Sequence, residues 1–168
     1  MHNELCIAKI LVYDKCGFDF TELVTEDESQ EYGASTFRLN RMKVKFRISK
    51  ITPTKTGQFV TIWKRNQEGI TQPLDLTDEI DFVVISSRNG DNFGQFIFSK
   101  SLLLDKGIMT ANKEGKRGIR VYPPWDTASN KQAEKTQSWQ IKYFLTIHKD
   151  NSTDLALTKK LFLHPNEI

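Results

Sequence analysis

The sequence predicts a single α+β domain whose central, largely antiparallel sheet of about five strands is packed by an N-terminal and a C-terminal helix. Its 168 residues are a usual length for one domain. Hydrophobic residues make up 38% of the chain and eleven residues are Phe, which is enough apolar side chain for a core. Short segments of period-two alternation are separated by Pro, Gly and Asn turn signals, and helical spacing occurs near both ends.

The chain begins with a predicted helix over residues 3–13. Leu5, Ala8, Leu11 and Val12 recur there at helical spacing, and Glu4 stands near the N-terminus, where a carboxylate favours the helix dipole. The acidic segment 19–31 that follows is either a second helix or a loop, because its polarity leaves little periodicity to decide between them.

Two hairpins are predicted to build the sheet. Residues 41–48 alternate strictly between cationic and apolar side chains, and a turn with Pro53 and Gly57 returns the chain as a second strand. The run from Ile80 to Ile85 is almost continuously apolar, as expected for a central strand, and Asn89-Gly90 is a favoured pair for a tight turn. Strands are expected near residues 41–51, 58–64, 80–86, 93–98 and 118–122.

Helices are predicted in the second half of the chain. Ser99 or Ser101 can cap a short helix that stops at Gly107. Ser129 with Gln132 reads as a capping box for a helix over residues 130–145. Residues 155–163 are compatible with either a helix or a strand.

Several function classes find no support in the sequence. The longest apolar runs are far shorter than the roughly 20 residues that span a bilayer, and no signal peptide is evident, so we expect a cytoplasmic protein that does not enter the membrane. Cys6 and Cys16 are expected as reduced thiols, and the chain's histidines, His2, His148 and His164, form no ligand pair, so no metal is expected. Nucleophile elbows, P-loops and dinucleotide fingerprints are missing, so no catalytic residue and no cofactor are predicted.

Charge is strongly segregated along the chain although the net charge is only +3. Residues 16–37 hold six acids without a Lys or Arg, and residues 38–65 hold nine Lys or Arg without an acid. On the predicted strand, Arg41, Lys43, Lys45 and Arg47 emerge on one face, spaced roughly 6.6 Å apart, which approximates successive phosphates of a nucleic acid. The alternative is a solvated sheet face that pairs with acids of residues 16–37 or 66–81. Either way, cations this close require a compensating anion or acidic neighbour.

A second basic cluster lies in a glycine-rich stretch, where a mobile loop can wrap a phosphate backbone. Its members beside Gly115 and Gly118 are Lys113, Lys116, Arg117 and Arg120. Tyr122 and Trp125 follow, and aromatic rings next to cations are what stacking on unpaired bases requires. The alternative role of these two rings is packing beside the Pro-Pro turn.

A divalent-metal nuclease is the enzymatic alternative, with Glu31 or Asp81 as its first carboxylate. Such enzymes place an acid-x-Lys triplet on a strand. The triplet found here, Glu114-Gly115-Lys116, lies in the glycine-rich loop, and residues 95–97 on the strand after Asp81 lack both the acid and the lysine. This departure favours binding without cleavage.

Six segments in order resemble the bacterial, functionally uncharacterised MepB family: EYGASTFRLN (31–40), KITPTKTGQFVTIWKR (50–65), DEIDFVVIS (78–86), FGQFIFSKSLLLDKGI (93–108), GKRGIRVYPPWD (115–126) and KTQSWQIKYF (135–144). The family is named for a gene near a multidrug efflux pump and its repressor. The resemblance implies one MepB-like domain over residues 1–168 and no established catalytic residues. It also implies a remote similarity of fold to the restriction-endonuclease-like group.

The resulting prediction is a non-catalytic protein that binds nucleic acid, DNA or RNA, or another polyanion through a basic sheet face. The alternatives are the metal-dependent nuclease and a module that docks an acidic protein partner as an accessory to a drug-efflux operon. The oligomeric state stays open. The residues predicted to contact phosphate or to stack on bases are Arg41, Lys43, Lys45, Arg47, Lys64, Arg65, Lys116, Arg117, Arg120, Tyr122 and Trp125.

Overall fold

A six-stranded sheet runs through the middle of the molecule in a computed structural model that describes residues 1–163; His164 therefore lies outside the described residues. Its strand order is β1-β2-β3-β8-β9-β11, and neighbouring strands are antiparallel except β3 and β8, which are parallel. The strands of the chain are β1 (Phe20–Thr25), β2 (Ser35–Leu39), β3 (Met42–Ile48), β4 (Lys50–Thr52), β5 (Lys55–Thr61), β6 (Lys64–Arg65), β7 (Thr71–Gln72), β8 (Phe82–Asn89), β9 (Asn92–Ser99), β10 (Gly118–Val121) and β11 (Phe144–Thr146).

A second sheet of three strands, in the order β10-β5-β4, contributes to the packing against one face of the central sheet, and β6 and β7 form a separate two-stranded ribbon. The helices are α1 (Asn3–Ala8), α2 (Lys100–Asp105), α3 (Lys131–Gln140) and α4 (Leu155–Leu161). A π-helical turn, Lys9–Tyr13, continues α1, and 3₁₀ turns occupy Gln30–Tyr32 and Ile141–Tyr143. Within residues 1–163, none of the helices has the length and apolar character needed to cross a membrane.

The middle strands of the central sheet are buried on both faces, and this gives the molecule two cores. On β8, Phe82 and Val84 point into a core shared with α1 and α4, while Val83 and Ile85 point into a core shared with the second sheet and α2. Alternation into two apolar cores explains why this strand is apolar at nearly every position. The prediction of a central strand over this run is therefore confirmed.

Other predicted elements are also confirmed. The fold is α+β, its central sheet is mostly antiparallel, and an N-terminal helix packs on it through Leu5, Ala8 and Val12. Strands β8 and β9 form a hairpin, but its two turn residues are Gly90 and Asp91 rather than the predicted Asn89 and Gly90. Gly90 has a φ of 60°, the left-handed value that such a turn requires. The hydroxyl of Ser99 caps α2 by accepting a hydrogen bond from the Leu102 N–H at 3.2 Å.

The predicted first hairpin is confirmed only next to its turn, where β4 and β5 pair antiparallel. The strand expected over residues 41–51 breaks at Ser49, and its last part becomes β4, which lies in the second sheet. β5 pairs with β4 rather than with β3. The chain therefore crosses from one sheet to the other at Ser49, and the polar face of β3 contacts the second sheet through the hydrogen bond from Arg47 to the Thr61 carbonyl.

Three further predictions need correction. The acidic segment expected as a helix or a loop contains β1 and a 3₁₀ turn. The helix expected over residues 130–145 ends at Gln140, and residues 144–146 form β11 at the sheet edge. Its N-cap is Asn130 rather than Ser129, because the Asn130 Oδ1 accepts the hydrogen bond from the Ala133 N–H at 2.9 Å. The sequence allowed either a helix or a strand over residues 155–163, and the structure has helix α4 at residues 155–161.

Candidate nucleic-acid interface

The two last cations of the basic strand, Lys45 and Arg47, are enclosed rather than exposed. Arg47 is 1% exposed; its Nη1 lies 2.6 Å from Glu26 Oε2 and 2.8 Å from the Phe46 carbonyl oxygen, and its Nε donates to the Thr61 carbonyl of β5. Lys45 pairs with the same Glu26. Glu26 therefore supplies the compensating anion that the sequence requires, and the group ties β3 to the second sheet.

Burial controls the electrostatics of this group. Removal from water lowers the pKa of Lys45, the neighbouring Arg47 charge lowers it further, and Glu26 counters both effects. Burial lowers the pKa of Arg47 as well, against the opposing attraction of Glu26. Two cations share one carboxylate here, so the role of that carboxylate is to hold the buried charges in place.

The other cations predicted to bind between residues 41 and 65 do not form one surface, because each has different neighbours. Arg41 is exposed in the β2–β3 turn, and Lys43 lines a cavity of about 330 Å³ together with Arg38, Lys100 and Asp81. Lys64 lies 2.9 Å from Asp75 Oδ2 and 2.7 Å from Asp78 Oδ2, and Arg65 pairs with Glu28. Burial would lower the pKa of Lys64, but the two aspartates outweigh it and raise the pKa.

A separate basic cleft lies between the second sheet and α3. It is about 630 Å³ in volume and is bounded by β5 and β10 on one side and by α3 on the other, with the end of α2 and the loop before β10 at its rim. We call it the basic cleft. Its charged lining residues are Lys55, Lys106, Lys116 and Arg120.

The charge of the basic cleft is of one sign. Among the residues that the structure describes, no Asp or Glu lines it. Lys55, Lys106 and Lys116 are exposed and take part in none of the salt bridges formed within residues 1–163. Arg120 donates instead to neutral oxygens, the Thr56 carbonyl at 3.2 Å and Thr52 Oγ1 at 2.8 Å. A concave site with cations and without anions raises the local concentration of anions.

Aromatic and amide side chains complete the lining. Phe59 and Tyr122 lie on the second sheet, and Trp139 of α3 faces them with the Lys106 Nζ 5.2 Å from its ring centroid. Gln140 is buried at the base, where its amide donates to the Arg120 carbonyl at 3.0 Å and accepts from the Tyr122 N–H at 2.8 Å. α3 is thereby fixed to the edge of β10, and the cleft is preformed.

The second predicted cluster is only partly brought together. Lys116, Arg120 and Tyr122 line the basic cleft, whereas Arg117 lies elsewhere on the surface, paired with Glu114 and bonded to the Thr71 carbonyl. Trp125 packs edge-on against Phe144, with ring centroids 5.6 Å apart, which is the packing role that the sequence left open.

Sequence reasoning missed four charged or aromatic residues of the cleft, namely Lys55, Phe59, Lys106 and Trp139. Lys55 belongs to the run of nine cations and Lys106 precedes the glycine that ends α2, so both were visible as charges. Nothing in the sequence brings them beside residues 116–122, because the pairing of β5 with β10 spans about sixty residues of chain.

The carboxylates of the nuclease alternative are in different places. Glu31 is exposed in a 3₁₀ turn, and Asp81 accepts a hydrogen bond from the Lys43 N–H at 2.8 Å at the start of β8. Within residues 1–163, no group of three or more His, Cys, Asp or Glu side chains is arranged to hold a metal ion.

Comparison with known proteins assigns the family. A family model described as MepB-like matches residues 26–146, which is more than half of the chain. The chain belongs to the MepB-like family. A crystal structure of MepB is similar to it with a TM-score of 0.76 and 34% sequence identity, over 89% of this chain and 99% of that one. No curated protein matches the chain. The MepB-like match contains every residue that lines the basic cleft, and leaves α1 and α4 outside.

Proposed function

We propose that this protein binds nucleic acid, or another polyanion of the same charge density, in the basic cleft and does so without catalysis. The observation that carries the proposal is the composition of the cleft: among residues 1–163, four cations, no carboxylate and three aromatic rings line one concave surface. Lys and Arg side chains of this kind neutralise phosphates and release counterions, which supplies most of the affinity for a nucleic acid.

The proposal moves the predicted site from the basic strand to the second cluster. Lys45 and Arg47 already have Glu26 as a partner, and Lys64 has two aspartates, so a ligand there would compete with an existing ion pair. The three lysines of the cleft have no such competitor among the described residues. Of the residues predicted to bind, Lys116, Arg120 and Tyr122 keep that role.

The proposed partner is DNA or RNA, bound mainly through its backbone. The cleft offers point charges and ring faces rather than a helix or ribbon that could read a major groove, so we expect little dependence on base sequence. The proposal also places the protein in the cytoplasm, where nucleic acid is available and where the free thiols of Cys6 and Cys16 stay reduced.

The test compares two variants that each lose three lysine charges. The first combines Lys55→Gln, Lys106→Gln and Lys116→Gln in the cleft. The matched control combines Lys142→Gln, Lys149→Gln and Lys160→Gln, which are also exposed lysines but do not line the cleft. Binding of a labelled oligonucleotide is measured by fluorescence anisotropy between 50 and 200 mM salt.

If the cleft neutralises about four phosphates of a single strand, wild-type affinity should fall on the order of fiftyfold across that salt range. The cleft variant should bind weakly at 50 mM salt, and its affinity should fall only about threefold between 50 and 200 mM. The control variant should keep nearly the wild-type slope. Equal losses in both variants would contradict a localised site, and no binding by the wild type at 50 mM would contradict the proposed function itself.

A further inference from the structure

We infer that residues 26–32 form an acidic strap that competes with nucleic acid for cations beside the basic cleft and so holds its affinity down. The inference rests on the proposed function and goes beyond it, because it assigns a regulatory role to part of the acidic run that the proposed site leaves unused. It is carried by the contacts of this segment with two cations and with an aromatic side chain of the cleft.

The acidic strap contacts the face of β5 that borders the basic cleft. Val60 points into the core, so its neighbours Phe59 and Thr61 lie on the opposite face of the strand. The Ser29 Oγ accepts a hydrogen bond from Thr61 Oγ1 at 3.0 Å, and the Tyr32 ring lies edge-on to the Phe59 ring with the centroids 6.3 Å apart. Since Phe59 also lines the basic cleft, the strap and the cleft meet at this side chain.

Lys50 is the first cation that the acidic strap contacts. It is the cross-strand partner of Phe59, so its side chain leaves the second sheet on the same face as that ring. The Lys50 Nζ lies 4.6 Å from the centroid of the Tyr32 ring, which is an attractive cation–π arrangement. Lys50 is exposed, so displacement of Tyr32 would make its ammonium available to a phosphate.

Arg65 is the second cation. Glu28 pairs with it, and both side chains are 45% exposed. Arg65 lies opposite Thr71 in the ribbon of β6 and β7, and the Thr71 carbonyl accepts a hydrogen bond from the Arg117 guanidinium at 3.1 Å. Arg117 directly follows Lys116, which lines the cleft. The ion pair of the strap is therefore connected to the rim of the basic cleft.

The acidic strap does to these cations what a phosphate would do. Exposed ion pairs add little stability, so a nucleic acid with its high charge density can replace Glu28 on Arg65. Until that happens, the carboxylates of Glu28 and Glu31 repel a polyanion that approaches the cleft. The strap therefore lowers the affinity, because part of the binding free energy is used to displace it.

The backbone of the acidic strap suits such a displacement. Ser29 and Gly33 flank the 3₁₀ turn Gln30–Tyr32, and both have left-handed φ values, 55° and 59°. This conformation is unfavourable for Ser29, which carries a Cβ. No residue of the turn is buried, so the turn opens without exposing core side chains.

The experiment compares two variants that each lose two carboxylates, with a labelled oligonucleotide and anisotropy at 50 mM salt. The strap variant combines Glu28→Gln and Glu31→Gln. The matched control combines Asp19→Asn and Asp91→Asn, which are exposed, do not line the cleft and form no salt bridge within residues 1–163. Because the net charge changes equally, a difference between the variants reports the position of the carboxylates.

We expect the strap variant to bind about three- to tenfold more tightly than the wild type, and the control to gain less than about twofold. An equal gain in both variants, or no gain in the strap variant, would overturn the inference and leave the proposed function standing. A wild type that does not bind nucleic acid refutes the proposed function and the inference together.

A reversible cross-link tests whether the acidic strap must move. Ser29→Cys with Thr61→Cys places two thiols where the hydroxyl oxygens lie 3.0 Å apart, in a chain whose Cys6 and Cys16 are changed to Ser. We expect the oxidised protein to bind at least about fivefold more weakly than the same protein after reduction, because the closed strap can no longer be displaced. Equal affinity before and after reduction of a cross-link verified by mass spectrometry would contradict the displacement.

Discussion

At the scale of single residues, position in the fold decides whether a cation is structural or available to a ligand. Arg47 and Lys116 have the same formal charge, but the first is enclosed between two sheets with Glu26 and the second is exposed at the rim of a cleft. A buried charge without its partner is strongly destabilising, whereas an exposed one costs little. The two kinds of site therefore respond differently to mutation.

Glu26→Gln should destabilise the protein by about 3 kcal/mol, because it leaves the buried guanidinium of Arg47 and the ammonium of Lys45 without a counter-charge. Urea denaturation at neutral pH measures this loss. Glu28→Gln is the control, since its partner Arg65 is well exposed, and its effect should be much smaller. Similar losses in both variants would mean that Glu26 does not hold buried charge.

The sequence predicts only part of the candidate site at this scale. Lys116, Arg120 and Tyr122 could be predicted because cations, glycine and an aromatic ring are neighbours in the chain. The strict alternation of residues 41–48 predicts correctly which side chains share a face of β3, but it contains no information on what covers that face. The sequence predicts that some acidic side chain or bound anion must neutralise these cations, but it does not identify Glu26 as that residue.

At the scale of elements, the side chain of Gln140 provides two hydrogen bonds between α3 and the edge of the second sheet. The Gln140 amide bridges the Arg120 carbonyl and the Tyr122 N–H, the two edge groups of β10 that a further strand would otherwise bond. The same helix provides one wall of the basic cleft, so this bridge sets the width of the site.

Gln140→Met should lower the free energy of unfolding by about 2 kcal/mol, because it keeps the volume and leaves two buried backbone groups without a hydrogen bond. Gln132→Met, an exposed position in the same helix, should change stability by less than about 0.5 kcal/mol. Chemical denaturation of the two variants in parallel provides the comparison. A stability loss at Gln140 no greater than that at Gln132 would contradict the role of the bridge.

Strands could be predicted from the sequence where the pattern of apolar residues was regular, and they were missed where that pattern was interrupted. β8 and β9 have clear apolar runs and a two-residue turn, so their hairpin could be predicted. β1 pairs with β2 through a bulge between Thr21 and Val24, with Glu22 at a φ of 54°, which destroys the period of two in a polar segment. The crossing of the chain between sheets at Ser49 is a tertiary feature that no local pattern encodes.

At the scale of the whole molecule, residues 66–81 form the connection from the second sheet back to the central one. Within it, Asp75 accepts hydrogen bonds from the Thr77 hydroxyl and from Lys64 Nζ, and these bonds hold the pKa of its carboxyl at about 2, below the ordinary 3.8. A lowered carboxyl pKa stabilises the fold above the ordinary value, and the contribution disappears as the pH falls from about 4 to about 2.

Asp75→Asn should therefore lower stability at neutral pH by about 1 kcal/mol, since solvent reduces the value that the full shift would imply. The difference between variant and wild type should shrink as the pH falls through 4 toward 2, as measured by urea denaturation across that range. Asp105→Asn, which removes an exposed carboxyl at the end of α2, is the control. A difference that persists at pH 2 would show that it does not come from titration of Asp75.

The three tryptophans make it possible to locate the bound nucleic acid directly. Trp139 lies in the basic cleft, Trp125 packs on Phe144 away from it, and Trp63 lies beside Arg65, whose guanidinium is 5.2 Å from its ring. Each carries one indole N–H, so a ¹H–¹⁵N correlation spectrum contains one side-chain signal for each of these three places. Trp→Phe variants assign the signals.

Titration of this spectrum with a twelve-nucleotide single strand is the most direct test of a nucleic-acid site in the basic cleft. We expect the Trp139 indole signal to shift progressively with added strand, while the signals of Trp63 and Trp125 stay in place. A shift of the Trp63 or Trp125 signal with an unmoved Trp139 signal would contradict a nucleic-acid site in the basic cleft and would favour a site near Arg65 or near the Pro-Pro turn.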